Sequence, residues 1–320
     1  MQMYEIKGIE KNFNRRKKIM SIVIAILIIA LSIFAAIKLA NYLHEEKMAK
    51  NENIENKIEV ANNNQKPENN RSEEKENKNE ITENIEEKEN NSQAQNTSKN
   101  NQNFTDEQIA AINNIYSSKE KRAFLTFDDG PSQSVTPKIL DTLKKENIKA
   151  TFFVLGTMVK SNPDVLKREY EEGHYIGNHG YSHVYKNIYA NKNNPLEEYK
   201  KTNQIIQNAL ENPNYQSNVF RFPGGSIGGY YDKMKTEAKK VLKENNIAYL
   251  DWNALTNDSD GAKTKEDIIK NLKNTTKGKN SIVVLMHDAP NKSLTAETLP
   301  DVITYLKEQG YTFKNLYDII

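Results

Sequence analysis

Five short stretches of this chain carry side chains that could do chemistry together. The first, Thr126-Phe127-Asp128-Asp129-Gly130-Pro131, sets two adjacent carboxylates before a Gly-Pro turn. Such a turn can send one acid to a metal ion and leave the other free; a plain surface Asp-Gly turn is the bland alternative. The second, Asn178-His179-Gly180-Tyr181-Ser182-His183, spaces two histidines four apart. On one face of a helical turn that spacing suits two imidazoles on one metal. No Glu follows His179, so the helical zinc-protease pattern is absent. His174 reads as a packing or surface residue, and His44 as part of a linker.

The third stretch, Phe220-Arg221-Phe222-Pro223-Gly224-Gly225, follows an apolar run. An Arg buried there needs a carboxylate partner, and the two glycines let backbone approach a ligand. The fourth is Asp251-Trp252-Asn253 with Asp258 beyond it; alone, the Trp reads as core and the Asp as a helix cap. The fifth, Val284-Leu285-Met286-His287-Asp288, places a His just past a buried strand.

The elements that must position these groups alternate. Strands are predicted at 122–127, 148–155, 219–222, 247–252, 281–286 and 311–313. Helices are predicted at 135–146, 163–172, 195–210, 232–245, 264–276 and 295–309. A capping box at Thr105-Asp106-Glu107-Gln108 opens the folded part. Strand–helix alternation argues for parallel βαβ units in an α/β sheet or barrel. In such folds the sites lie at the carboxyl ends of the strands, where several of these polar groups fall.

The rest of the 320 residues reads differently. Hydrophobic content of 37% and a mean hydropathy of −0.81 are low for one packed globule. From Ile19 to Ile37 every residue is apolar except Ser21 and Ser32. At 1.5 Å per residue that run spans about 28 Å, close to a bilayer's hydrocarbon core. Lys7, Lys11, Arg15, Arg16, Lys17 and Lys18 precede it, against Glu5 and Glu10, which keeps that end in the cytoplasm. Between His44 and Asn103 there is no aromatic residue and no Gly, and acids outnumber bases by fourteen to nine. Such a segment cannot offset its ordering entropy and is expected to be a disordered tether reaching roughly 40 Å. The expected divisions are a basic tail (1–18), a transmembrane helix (19–40), a linker (41–103) and a folded domain (104–320). A net charge of +2 gives no reason to expect nucleic acid as a partner. The absence of Cys excludes a disulfide framework, a Cys-based zinc site and a Cys nucleophile.

Taken in order, Thr126–Pro131, His179/His183, Arg221–Gly225, Trp252–Asp258 and Leu285–His287 resemble the five motifs of the polysaccharide deacetylases. This is the NodB-homology domain of carbohydrate esterase family 4, and the resemblance runs from about Lys121 to Ile320. It implies a distorted (β/α) barrel holding one divalent metal ion, Zn²⁺ first and Co²⁺ second. It implies Asp129, His179 and His183 as metal ligands, and Asp128 as the general base acting on water. Arg221 would orient Asp128 and keep it ionised. The Gly224 N–H would help hold an oxyanion, and His287, partnered by Asp258, would protonate the departing sugar amine. Trp252 and Leu285 would wall a pocket for the acetyl methyl.

Three residues depart from the family pattern. Gly180 stands where Ser or Thr is usual, so a loop-supporting hydrogen bond is expected to be missing. Gly224 and Ser259 stand where relatives often carry aromatics, which suggests a wider or differently walled cleft. The layout resembles membrane-anchored peptidoglycan N-acetylglucosamine deacetylases. The expectation is therefore a single-pass cell-membrane protein whose catalytic domain lies outside the cell and removes N-acetyl groups from peptidoglycan. An O-acetyl esterase, a deacetylase of another surface polysaccharide and a non-catalytic glycan-binding relative are the alternatives.

Overall fold

The computed structural model describes residues 103–320. The expected basic tail, membrane helix and all but the last residue of the expected linker lie outside them. Among the described residues no helix is long and apolar enough to cross a membrane.

The described chain begins with α1 (Asp106–Asn113), whose capping box forms as the sequence predicts. Gln108 N donates to Thr105 Oγ1 and Thr105 N to Gln108 Oε1. There follow β1 (Arg122–Asp128), α2 (Thr136–Lys145), β2 (Thr151–Val154), α3 (Gly156–Ser161), α4 (Pro163–Glu171) and β3 (Tyr175–Asn178). The middle comprises α5 (Tyr185–Ile188), α6 (Asn194–Ala209), β4 (Val219–Phe220), α7 (Asp232–Glu244), β5 (Ala248–Tyr249) and β6 (Ala254–Leu255). The chain closes with α8 (Lys265–Thr276), β7 (Ser281–His287), α9 (Ser293–Glu308), β8 (Thr312–Lys314) and a 3₁₀ turn (Leu316–Asp318).

All strand pairings are parallel, in the order β5-β4-β3-β2-β1-β7-β6, with β8 beside the first half of β1. The two outermost strands, β5 and β6, are consecutive in the chain and joined only by Leu250–Asn253. A connection that short reaches at most roughly 18 Å. The sheet must therefore curl until its edges approach, giving a parallel α/β half-barrel.

Alternation along the strands divides the interior into two media. Ala123, Leu125 and Phe127 of β1 and Ile282, Val284 and Met286 of β7 face the helical layer, where Ile139, Leu143, Leu299 and Val302 cover them. Phe124 of β1, Phe153 of β2, Tyr175 of β3 and Val283 of β7 turn the other way, into the concave side. Ile112 and Ile115 close that side from below. Continuing up the same inward face, β1 presents Thr126 and Asp128, and β7 presents Leu285 and His287. The concave side thus runs from apolar at the amino ends of the strands to polar at their carboxyl ends.

Several strand-level expectations need correction, the strands expected at 148–155 and 219–222 being shorter as well. No strand was expected at 175–178, yet β3 lies between β2 and β4. Gly177 weakens its sequence signal, and its position explains why Gly is there: a Cβ would stand 2.5 Å from the Phe153 ring. The strand expected at 247–252 is shorter, and β6 is an additional one.

The carboxyl ends of β1 and β7 are tied together by Asp288. Its N–H donates to Asp128 O (3.0 Å), its carbonyl accepts from Ser132 Oγ (2.6 Å), and its Oδ2 accepts from Thr136 Oγ1 (2.5 Å). Asp288 is fully buried, and a Cβ on Gly130 would lie 2.0 Å from its Oδ2. Gly130 is therefore required by space. Gly130→Ala is expected to cost about 1–3 kcal/mol, the usual penalty for overpacking a buried site, read from urea unfolding. An unchanged midpoint counts against this account.

Candidate active site

Asp128, Asp129, His179, His183, Arg221, Asp258 and His287 gather at the polar end of the concave side. Asp128 and His287 are directly paired positions on adjacent strands, so their side chains rise side by side from neighbouring β1 and β7. Asp129 follows at φ +74. That left-handed conformation, tolerated by Asp better than by most residues, turns the second carboxylate away from the first.

Asp129 Oδ1 lies 3.6 Å from His179 Nε2 and 3.6 Å from His183 Nε2, and the three ligand atoms lie within 4.8 Å of one another. Ligands about 2.1 Å from a tetrahedral ion stand about 3.4 Å apart, close to the separations here. Asp129 Oδ1 is buried with no hydrogen-bond partner, a costly state unless something cationic completes it. His179 Nδ1 sits 2.7 Å from Arg221 O. The ring N–H is thereby assigned to Nδ1, and the Nε2 lone pair is left for the site. Burial drives the His179 pKa down to about 3, with Asp129 opposing and His183 adding to the fall. A neutral imidazole is the form that ligates. These three residues fit a divalent ion with nitrogen and oxygen preference.

The histidine pair does not lie on a helix, contrary to the sequence expectation. It spans a loop in which Gly180 has φ +83 and His183 φ +58, so the spacing succeeds through loop geometry. Nor is that loop unsupported. Glu198 Oε2 accepts from the N–H groups of Tyr181 (2.8 Å) and Ser182 (3.5 Å), and Asn178 Oδ1 accepts from Gly180 N (3.0 Å). A Cβ on Gly180 would stand 3.0 Å from Glu198 Oε2. The glycine makes room for the carboxylate that secures the loop.

Arg221 is fully buried. Its Nη1 donates to Asp128 Oδ1 (2.8 Å) and Thr126 Oγ1 (2.7 Å), its Nε to Leu250 O (2.9 Å) and its Nη2 to Asp251 O (3.1 Å). The expected pairing is present, and Arg221 favours the ionised carboxylate as expected. Burial raises the Asp128 pKa above the ordinary carboxylate value, and the opposing pull of Arg221 and His287 does not cancel it. A cation on Asp129 would act in the same sense as Arg221. Asp128 Oδ2, the oxygen that Arg221 does not bind, lies 3.7 Å from His179 Nε2 and so borders the candidate metal position.

His287 and Asp258 pair as predicted, with Nδ1 3.0 Å from Oδ1. Asp258 Oδ2 also accepts from His287 N (2.8 Å) and Thr295 Oγ1 (2.7 Å). Gly224 is exposed at φ +72, and Trp252 packs across Gly225. Leu285 stands two residues below His287 on the same face of β7, 8% exposed.

Sequence reasoning missed four contributors. Asp288 ties the strand ends, and burial, aided by Asp129 and Asp128 against Thr136, pushes its carboxyl up to about 7. Asp251 accepts from Ser226 N (2.9 Å) and Ser226 Oγ (2.6 Å), fixing the glycine loop. Glu198 secures the histidine loop. Tyr185 fills the space beside Gly224: a Cβ there would lie 2.5 Å from its hydroxyl. Of the four, Asp288, adjacent to His287, and Asp251, adjacent to Trp252, carried a signal of position, and Glu198 and Tyr185 carried none.

Comparison with known proteins agrees with this geometry. The family description "Polysaccharide deacetylase" matches residues 116–247. The chain is 37% identical over 203 residues to the peptidoglycan-N-acetylglucosamine deacetylase PgdA of Listeria monocytogenes, covering 62% of this chain but only 39% of that protein. It is 35% identical over 216 residues to the peptidoglycan-N-acetylmuramic acid deacetylase PdaA of Bacillus subtilis, 64% of this chain and 73% of that one. Among solved structures, a Streptococcus mutans CE4 esterase superposes with a TM-score of 0.59 at 32% identity, over 67% of this chain and 91% of its own.

The His287–Asp258 pair makes a direct prediction. Burial disfavours the imidazolium, but the Asp258 hydrogen bond and charge, then Asp128 and Asp129, outweigh it and raise the pKa from 6.5 to about 9. Because the folded value lies above the unfolded one, the stability contributed by the His287 proton is full below about pH 6.5, while Asp258 stays ionised, and is lost as pH rises through about 9. In protein stripped of metal, histidine NMR is expected to find His287 titrating near 9, and Asp258→Asn is expected to move it down. A His287 that titrates at its ordinary value in both proteins contradicts the assignment.

Proposed function

The chain belongs to the polysaccharide deacetylase family, and from that premise we propose that it is a metal-dependent N-deacetylase of peptidoglycan. One observation carries this reading. Asp128 and His287 rise from paired positions on adjacent strands beside a His/His/Asp site, where they can serve as general base and general acid. The two peptidoglycan-directed relatives supply the choice of glycan. A divalent cation held by Asp129, His179 and His183, Zn²⁺ before Co²⁺, would polarise the acetyl carbonyl and acidify a water.

The protein's own groups account for the proton traffic. Asp128 Oδ2 takes the proton from the attacking water while Arg221 holds the other oxygen in place. The Gly224 N–H stands ready for the oxygen that gains charge as the carbonyl becomes tetrahedral. His287, kept charged by Asp258, gives its proton to the sugar nitrogen as the C–N bond breaks. Acetate and a free amine leave. Trp252 and Leu285 wall the acetyl methyl, with Tyr185 beside Gly224.

The apolar run 19–37 behind its basic flank supports a retained membrane anchor with the catalytic domain outside the cell. An anchored enzyme reaches its own wall, where peptidoglycan is the abundant N-acetylated glycan. N-acetylglucosamine is the preferred sugar, and N-acetylmuramic acid is the second.

Chelation is expected to abolish acetate release and Zn²⁺ or Co²⁺ to restore it, with His179→Ala losing metal occupancy. Full turnover by metal-free protein contradicts the proposal. Asp128→Asn and His287→Ala are each expected to bind metal yet lose about 10²–10⁴-fold in turnover on an N-acetyl substrate. His287→Ala should suffer less on an activated ester, whose leaving group needs no proton. Deleting the gene should raise wall acetylation, read by mass spectrometry of muropeptides, and protease shaving of intact cells should release the catalytic domain. Unchanged muropeptides shift the substrate to another surface polysaccharide.

A further inference from the structure

Four large apolar side chains stand exposed among the described residues: Val184, Tyr185, Ile227 and Tyr230. They are not scattered. Val184 and Tyr185 directly follow the loop with His179 and His183, and Ile227 and Tyr230 follow the Arg221–Gly225 stretch. Apolar surface concentrated at one site marks an interaction that stability does not explain.

The rings form a continuous strip. His183 and Tyr185 lie 5.4 Å apart centroid to centroid, Tyr185 and Tyr231 6.4 Å, and Tyr231 and Tyr230 5.0 Å. The inner part is anchored. Buried Tyr189 packs against both Tyr185 (5.9 Å) and Tyr231 (5.3 Å) and donates its hydroxyl to Pro223 O (2.7 Å). Lys235 Nζ lies over the Tyr189 ring and donates to the carbonyls of Gly224 and Gly228 at 3.4 and 3.5 Å. Gly228 and Gly229, at φ +73 and +74, reverse the backbone just before Tyr230. The outer end is free: Tyr230 is 95% exposed and Ile227 71%.

We propose that the strip Tyr185–Tyr231–Tyr230, with Ile227 on the same loop, is a glycan-strand subsite that holds a sugar neighbouring the one whose acetyl group enters the metal site. The inference rests on the deacetylase reading above and names how a polymer is gripped. A β-1,4-linked glucosamine chain carries its ring substituents equatorially, so each pyranose shows C–H faces that match an aromatic face, while its hydroxyls stay in water. Continuity with His183 selects a glycan over an unrelated partner, because a ligand lying on this strip extends directly from the metal cleft. The partly buried anchor and the exposed tip also suit a long substrate.

The test uses the metal-loaded protein and β-1,4-linked N-acetylglucosamine oligomers. Tyr230→Ala is expected to raise KM for the hexamer roughly 5- to 10-fold, the factor that loss of one stacked ring carries. The rise in KM should exceed any fall in kcat and should be smaller for the dimer. Tyr230→Phe should keep the wild-type KM, because stacking needs the ring and not the hydroxyl. Binding of the hexamer to Asp128→Asn, followed by calorimetry, gives a readout that needs no turnover. If the wild type releases no acetate but Tyr230→Ala still weakens that binding, the subsite stands and the deacetylase reading falls. If Tyr230→Ala and Ile227→Ser leave hexamer KM and binding as they were, or if Asp128→Asn binds no hexamer, the subsite is wrong.

Discussion

The buried guanidinium of Arg221 is the constraint from which the site follows. A guanidinium removed from water is tolerated only when acceptors for its N–H groups and a countercharge are supplied at good geometry. Here they come from three parts of the fold at once. β1 supplies Thr126 and Asp128, the connector between β5 and β6 supplies the carbonyls of Leu250 and Asp251, and the Phe153 ring lies 3.9 Å beneath the guanidinium. The backbone of Arg221 adds a fourth link, because its carbonyl fixes the tautomer of His179. One residue therefore holds Asp128, orients a candidate metal ligand and binds the connector that joins the sheet's two edges. Lysine, a single point donor, could not span these positions.

The same environment drives two histidines in opposite directions. His179 and His287 are both buried, and burial alone lowers the pKa of each. His179 offers its Nδ1 to a neutral carbonyl and falls to about 3, whereas His287 faces the Asp258 carboxylate and rises to about 9. The partner of Nδ1 decides between a neutral ligand and a charged acid. Groups whose environments push their titrations apart in this way are those that can divide acid and base work between them.

How much of this was legible in the sequence depended on whether a residue's signal was its own. Asp128, Asp129, His179, His183, Arg221, Asp258 and His287 were identifiable because their chemistry is rare and their order along the strands is distinctive. The alternating elements gave the parallel α/β architecture. The strand at 175–178 was not legible because Gly177 argues against a strand, and its reason, the Phe153 ring, lies on another strand. The pairing of Glu198 with the Gly180 loop was hidden for the same reason: the supporting carboxylate arrives from a helix that begins beyond the loop. The direction of the Asp128 shift required knowing its burial, which no local pattern contains.

Gly224 shows how the fold separates chemistry from specificity. The proposed proton-transfer groups sit on or immediately beside β1 and β7, whose register and Asp288 tie leave little freedom. The wall beside Gly224 is built by Tyr185, a side chain from the segment after the histidine loop, and the glycine loop is steadied by Asp251 and Lys235. A glycine in this place therefore does not by itself widen the cleft; it moves the source of the wall from one loop to another. Loops can exchange such duties without disturbing the strands, because nothing in the Asp128–Arg221 or His287–Asp258 pairs depends on which loop supplies the aromatic ring. The proposed seat of substrate choice is accordingly at residues such as Tyr185 and Tyr230, the positions at which the five motifs are silent.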